Sequence, residues 1–263
     1  MPDLDLLARA RFARDAATRA AAIVRPMQAG IESREKSEGR GPVTEADLAA
    51  ERAILAELHE QFRGEPIVSE ESRATAHIDT GPVWCVDPLD GTREYSQGRH
   101  DYAVMIGLLV DGSPTVGAVA LPGEDTVLWG AVGHGAFIDD EPVHVPGLER
   151  LEDATVIHSR SHISDTLAGI LDTLAPKATV AAGSAGYKAV QLLTGVAHVY
   201  IHPKGGTMWW DSVAPAALVL AVGGLFADAQ GAPIRYDGEL EHRSGLLFAV
   251  PGIEPALRAR LTS

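Results

Sequence analysis

Val83-Trp84-Cys85-Val86-Asp87-Pro88-Leu89-Asp90-Gly91-Thr92 passes from four apolar residues to two acids, a glycine and a hydroxyl. The apolar run predicts a strand that delivers Asp87 at its carboxyl end. Pro88 stiffens the turn, and Asp90 projects into the same space three residues later. Two carboxylates held so close repel, so either one takes up a proton or a divalent cation neutralises both. Magnesium is a hard ion that takes oxygen ligands and keeps waters, which suits carboxylates on a turn with the carbonyl of Leu89 to hand. If Gly91 and Thr92 open the following helix, their N–H groups form an anion seat beside that ion.

Two further acidic positions lie outward along the chain. Val68-Ser69-Glu70-Glu71-Ser72 follows another short apolar run, so the same sheet edge can present Glu70. Asp211 follows Trp209-Trp210 and starts an apolar helix, which puts its carboxylate at a helix N-terminus. The plainer alternatives are a solvated loop pair at Glu70-Glu71 and an ordinary N-cap at Asp211.

Around these positions the pattern divides in two. Residues 3–29 carry Leu and Ala at helical spacing, the charged Ile31–Pro42 stretch reads as a loop or strained hairpin, and Thr44 with Asp47 predicts the N-terminus of a second helix reaching about Phe62. Short β-branched and aromatic runs follow at 66–68, 83–86, 102–110, 114–121 and 126–132, with Asp111-Gly112 as a hairpin turn. From Ala154 strands alternate with helices: strand 155–158, helix 163–174, strand 178–182, helix 185–194, strand 197–201, helix 211–222 and strand 225–227. The expectation is an α/β chain with an N-terminal half, 1–150, carrying most of the acids, and a C-terminal half, 151–263, carrying Asp211, packed as one unit.

Composition narrows the partners. Asp and Glu total 36 against 22 Lys and Arg, a formal charge of −14, which disfavours a nucleic-acid polymer or an anionic membrane. A small anion remains compatible, because metal ions or backbone N–H groups reverse the field locally. The lone Cys85 forms no internal disulfide and reads as a small buried strand residue. Met1–Val24 lacks the apolar core of a secretory signal. The uncharged Ser212–Ala227 stretch falls short of the roughly 20 residues of a membrane span, so the reading is cytoplasmic. Ten histidines form no HExxH pattern, Gly130–Gly135 lacks GxGxxG spacing, and the tryptophans at 129, 209 and 210 read as core or pocket walls.

Three separated blocks together resemble the inositol monophosphatase superfamily: Pro42-Val43-Thr44-Glu45-Ala46-Asp47 with Glu51; Ser69-Glu70-Glu71-Ser72 with Trp84 to Thr92; and Trp210-Asp211 leading to Gly223-Gly224. The resemblance implies a layered αβαβα sandwich and a magnesium-dependent phosphatase without a covalent phosphoenzyme. It makes Glu70, Asp87 and Asp90 magnesium ligands, adds the Leu89 carbonyl, and has Asp211 complete a second metal position, for two or three ions in all. Thr92 and Asp47, assisted by Glu70, would orient and deprotonate the attacking water. Ser69 departs from the glycine that relatives commonly carry there.

Within the superfamily, Thr92-Arg93-Glu94-Tyr95 is similar to the CysQ-like branch that dephosphorylates 3′-phosphoadenosine 5′-phosphate to AMP, in sulfur assimilation; inositol phosphatases usually show Thr-Thr-Asn-Phe. Gly183-Ser184-Ala185-Gly186-Tyr187-Lys188 is a second likeness, a small-residue turn that can seat a phosphate with Lys188 as countercharge. Gly91, Thr92, Arg93 and Lys204 complete the expected substrate contacts. The resemblance further implies lithium sensitivity and pairing into a homodimer. The rival activities are inositol monophosphatase or a broad sugar phosphatase, and the rival class is a catalytically silent metabolite-binding protein, against which the intact acids argue.

Overall fold

The computed structural model describes residues 4–36, 41–73, 81–161, 164–236 and 238–261. Helix α1 (Leu6–Met27) starts where the Asp5 carboxylate accepts from the Ala8 N–H at 2.9 Å, and it buries Ala10, Ala13, Ala17, Ala20 and Val24 at helical spacing. A hairpin of β1 (Arg34–Glu35) and β2 (Pro42–Val43) falls in the charged stretch, whose residues 37–40 lie outside the described residues. Helix α2 (Glu45–Gln61) is capped by Thr44 and Asp47 reciprocally. Its buried face carries Asp47, Glu51, Ile54 and Leu58, so two acids stand in an otherwise apolar stripe.

The larger sheet follows in chain order: β3 (Ile67–Ser69), β4 (Pro82–Asp90), then after the short helix α3 (Thr92–Ser96) the strands β5 (Ala103–Val110), β6 (Ser113–Leu121), β7 (Thr126–Ala131), β8 (Gly135–Ile138) and β9 (Glu141–Pro142). These are neighbours in that same order, antiparallel except for the parallel β3–β4 pair. Asp111 and Gly112, at φ 50° and 71°, make the tight β5–β6 turn. Strand β5 is buried on both faces: Val104, Ile106 and Leu108 pack toward α1 and α2, while Ala103 and Met105 join the core on the other side. Its unbroken apolar run has this cause.

The second sheet uses β10 (Thr155–Ser159), β11 (Ala178–Ala182), β12 (Val199–His202), β14 (Leu225–Ala227) and β16 (Leu246–Ala249), with helices α4 (Asp165–Leu174), α5 (Ala185–Leu193), α6 (Trp209–Ala221) and α7 (Glu254–Leu261), and with β13 (Thr207–Met208) pairing β15 (Glu241–His242) apart from it. Its order is β11-β10-β12-β16-β14, parallel across the first three strands. Helix α6 lies between the sheets: a Cβ on Gly107 or Gly117 would stand 2.7 or 2.3 Å from the Ala214 backbone, so glycine lets the helix rest directly on the larger sheet. The layers are helices, sheet, helices, sheet, helices.

The strand that decides the fold runs to Asp90 rather than ending before the acids, with a register shift against β5 between Asp87 and Asp90. Helix α6 begins at Trp209, so Asp211 sits on its third residue. The helix foreseen from Ile163 starts at Asp165, and Ile163 lies outside the described residues. Cys85 is buried and free. No helix among the described residues is long and apolar enough to cross a membrane.

Candidate active site

The register shift in β4 and the first turn of α6 bring Asp87, Asp90 and Asp211 together, with one oxygen from each within 4.8 Å of the others. Each is anchored through one oxygen: Asp87 Oδ1 accepts from the Leu89 N–H at 3.1 Å, Asp90 Oδ2 from Ser184 Oγ at 2.6 Å and the Gly186 N–H at 2.8 Å, and Asp211 Oδ2 from the Met208 N–H at 2.6 Å. Burial, then the charges of Glu70, Asp90 and Asp211, pushes the Asp87 carboxyl well above the usual carboxylate range. Burial and then Asp90 do the same to Asp211. Among the described residues no lysine or arginine is ion-paired to any of the three. An acceptor-only cluster of this kind fits a hard divalent cation.

Glu70 follows β3 on the neighbouring strand end, and its charge is one of the causes that raise Asp87; burial raises the Glu70 pKa, and Lys36 opposes the rise. Lys36 Nζ meets Glu70 Oε1 and Glu71 Oε1, each at 2.6 Å. The turn that carries these acids is stapled by a residue whose role the motif reading left open. Glu51 on α2 accepts from Ser69 Oγ, from the Ser72 N–H at 3.0 Å and from Ser72 Oγ at 3.1 Å. Ser69, the departure from glycine, thus has a partner that glycine lacks.

Thr92, first residue of α3, donates from Oγ1 to Asp47 Oδ1 at 2.8 Å and also lies 3.0 Å from the Leu89 carbonyl. One hydroxyl proton serves one acceptor well, and the carboxylate is the stronger, which leaves the Leu89 carbonyl a lone pair for a cation. Asp47 is fully buried, accepts from the Thr44 N–H at 2.8 Å and Thr44 Oγ1 at 2.6 Å, and has its pKa raised by burial against the pull of those donors.

Glu70, Asp87, Leu89, Asp90, Thr92 and Asp211 border an open pocket of about 560 Å³ that Gly91, Arg93, Gly183, Lys204 and Tyr200 also line, with Ser159, Ser161 and Ser164 beyond them. Arg93 and Lys204 are exposed on its rim. The turn expected to seat a phosphate is filled from within the protein: the Gly183 N–H donates to Asp101 Oδ2 at 2.6 Å, the Gly186 N–H to Asp90, and the Tyr187 N–H to Ser184 Oγ at 2.9 Å. Lys188 is likewise no free countercharge. It is buried, donates to the Gly183 and Ser184 carbonyls at 3.0 and 2.7 Å, stands 5.0 Å from the Tyr200 ring centre, and burial pushes its pKa down to about 8. The reason is proximity: an acceptor-only carboxylate captures whatever N–H lies nearest. Asp101, Arg160, Glu51 and Lys36 are polar residues around the site that motif reading gave no role.

A model of the family described as "Inositol monophosphatase family" matches residues 5–257. The chain is 33% identical over 213 residues to the 3′(2′),5′-bisphosphate nucleotidase 1 of Rattus norvegicus, covering 75% of this chain and 68% of that protein. It is 36% identical over 220 residues to the 3′-phosphoadenosine 5′-phosphate phosphatase of Mycobacterium tuberculosis, covering 80% and 78%. Among solved structures, the inositol monophosphatase of Anabaena (Nostoc) superposes with a TM-score of 0.83 at 25% identity, covering 98% of this chain and 96% of the other. The Thermotoga maritima enzyme, at 20% identity and a TM-score of 0.84, shows the same fold.

Proposed function

This chain belongs to the inositol monophosphatase family, and we propose that it is a divalent-metal-dependent phosphomonoesterase that hydrolyses 3′-phosphoadenosine 5′-phosphate to AMP and phosphate. The observation that carries the reading is the Thr92–Asp47 hydrogen bond of 2.8 Å beside the Asp87, Asp90 and Asp211 cluster. The nucleotide is favoured over inositol phosphate by the bisphosphate-nucleotide names of the relatives at 33–36% identity and by Arg93-Glu94 after Thr92.

Asp87, Asp90 and Asp211, with Glu70 and the Leu89 carbonyl, would hold two or three magnesium ions. Bound there, the cations supply positive charge that makes a water more acidic and offsets charge on the phosphate and its leaving oxygen. The residues then have distinct tasks. Thr92 Oγ1, its own proton directed to Asp47, presents lone pairs that accept a hydrogen bond from the attacking water and fix its approach. As the water oxygen bonds to phosphorus and the P–O3′ bond breaks, the water proton passes to Thr92 Oγ1 and the hydroxyl proton to Asp47 Oδ1. Burial raises the Asp47 carboxyl above its ordinary value, which makes it a better proton acceptor than a solvent-exposed carboxylate. The departing 3′-alkoxide is protonated by solvent.

The reading includes a cytoplasmic protein, compatible with a buried free Cys85, and inhibition by lithium. Purified protein with magnesium, offered 3′-phosphoadenosine 5′-phosphate, inositol 1-phosphate and fructose 1,6-bisphosphate, tests it through phosphate release. The nucleotide is expected to have the highest kcat/KM; faster turnover of inositol phosphate would move the chain to the other activity, and no release from any would remove the enzymatic reading.

A further inference from the structure

Asp101 does not line the pocket, yet it joins three chain segments. It is buried just ahead of β5, and its Oδ2 accepts from the Gly183 N–H at 2.6 Å and pairs with Arg160 Nη1 at 2.7 Å. Arg160 follows β10, donates through Nη2 to the Ala181 carbonyl at 3.3 Å and through its backbone N–H to the Ala182 carbonyl at 3.0 Å, and stands 3.6 Å from Glu94 Oε1. The ends of β10 and β11 and the loop into β5 are therefore held by one guanidinium and one carboxylate. Glu94 closes over the turn so tightly that a Cβ on Gly183 would lie 2.3 Å from its Cγ, so any larger residue there would displace the Glu94 side chain.

The next residue, Ser184, has φ 49°, a left-handed conformation that a residue with a Cβ seldom takes. Such a backbone persists only where its surroundings over-determine it. Here the Gly183 N–H is fixed by Asp101, and Lys188 Nζ holds the Gly183 and Ser184 carbonyls. In that conformation Ser184 Oγ and the Gly186 N–H converge on a single oxygen, Asp90 Oδ2. Two donors on one oxygen fix the rotation of the carboxylate.

We propose that Asp101 is a positioning residue for the divalent-cation site: together with Arg160 it locks the 183–186 turn, so that Ser184 and Gly186 hold Asp90 by Oδ2 and leave Oδ1 for the ion. The inference rests on the reading above that Asp90 is an ion ligand. Partners that orient a ligand commonly change metal affinity by about 10–100-fold, and Asp101 acts one contact further out, at the low end of that range.

The test uses manganese ion as the probe, its binding followed by the electron paramagnetic resonance of the free ion. Asp101→Ala should weaken manganese binding about tenfold, with turnover recovering at saturating magnesium. Asp101→Asn keeps an acceptor for the Gly183 N–H and loses only the charge facing Arg160 and, at 3.4 Å, Arg99, so its loss should be smaller, about threefold. Ser184→Ala should also weaken binding, and the Asp101→Ala/Ser184→Ala double variant should lose no more than the worse single one, because both act through the same oxygen of Asp90. Wild-type affinity in Asp101→Ala, or fully additive losses, would overturn the proposal. Should Asp101→Ala fail to fold, Asp101→Asn and Arg160→Met carry the same readout, and unchanged affinity in both overturns it. Absence of manganese binding by the wild-type protein is a different result: it removes the ion site itself, and this proposal with it.

Discussion

The pocket has one wall built from the ends of β3 and β4, at Glu70 and residues 87–92, with Asp211 from α6 beside them, and one built around the turns at 183–185 and 203–207, and both carry polar groups in an order that suggests a ligand. On the strand wall, and at Asp211 from α6 that faces it, the acids crowd together without ion-paired lysine or arginine at Asp87, Asp90 or Asp211 among the described residues. On the turn wall the donors are already matched: Gly183 to Asp101, Gly186 and Ser184 to Asp90, and Lys188 to two carbonyls. The difference follows from donor and acceptor arithmetic. A carboxylate only accepts, so clustered carboxylates leave a demand for positive charge, whereas a glycine-serine turn beside carboxylates is satisfied before any phosphate arrives.

Breaking the strand wall should have the largest effect. Asp90→Asn keeps an oxygen for Ser184 and Gly186 and removes one negative charge from the cluster. Turnover should fall about a thousandfold, since the charge stabilisation a metal ion gives is worth several kcal/mol and each 1.36 kcal/mol is tenfold in rate. Phosphate release measures it, with circular dichroism to show the fold kept. Full activity would remove Asp90 from the reaction. Thr92→Val ranks next: it is nearly isosteric and deletes the hydroxyl between water and Asp47. A loss of about a hundredfold in kcat with KM little changed is the expected outcome for a lost proton-transfer partner.

The strand wall was also the legible one. Asp87, Asp90 and Thr92 are close in sequence, so local geometry carries them, and Asp111-Gly112 announced its hairpin in the same way. Asp47 and Glu51 had a signal too: at positions 47, 51, 54 and 58 two acids share the stripe of Ile54 and Leu58, and acids on a buried face need partners. What stayed illegible was long-range. The Asp101 bond to Gly183 and the Asp90 bonds to Ser184 and Gly186 span 82 to 96 residues, and no local pattern says which acid will meet which N–H. Strand β16 and helix α7 were missed because Gly245 to Leu261 offers only a four-residue strand and a weakly periodic helix.

The titration of the acids sharpens the comparison through stability. Burial first, and neighbouring charges after it, raise Asp87 and Asp211 from 3.8, and burial raises Glu71 from 4.5 to about 7. The folded ion-free protein thus holds these protons to higher pH than the unfolded chain, so they cost stability progressively as pH rises, for Glu71 between 4.5 and about 7. Buried His242, pushed down to about 4, acts oppositely, but it does so with or without an ion and cancels in the difference. A cation needs the carboxylates deprotonated and so binds better as protons leave. Magnesium should therefore raise Tm more at about pH 8 than at about pH 5.5; an ion at a hundred times its Kd adds about 2.7 kcal/mol. An increment independent of pH would separate the ion from these acids.

The smallest effect belongs to the turn wall and sets two lysines of one pocket against each other. Lys188 is buried with its ammonium on backbone carbonyls, so its loss should lower stability. Lys204 is exposed on the loop after β12 and lines the pocket mouth. An exposed cation near a phosphate is screened by water and salt, and contributes about 1 kcal/mol, or about fivefold in affinity. Lys204→Ala should accordingly raise KM for the bisphosphate nucleotide about fivefold at low salt with kcat unchanged, and the difference should shrink as salt is added. Because the second phosphate is what an exposed cation would meet beyond the ion site, a monophosphate substrate should show a smaller change. Equal KM increases for both would place Lys204 at the scissile phosphate, and none for either would leave the turn wall without a charged contact at that position.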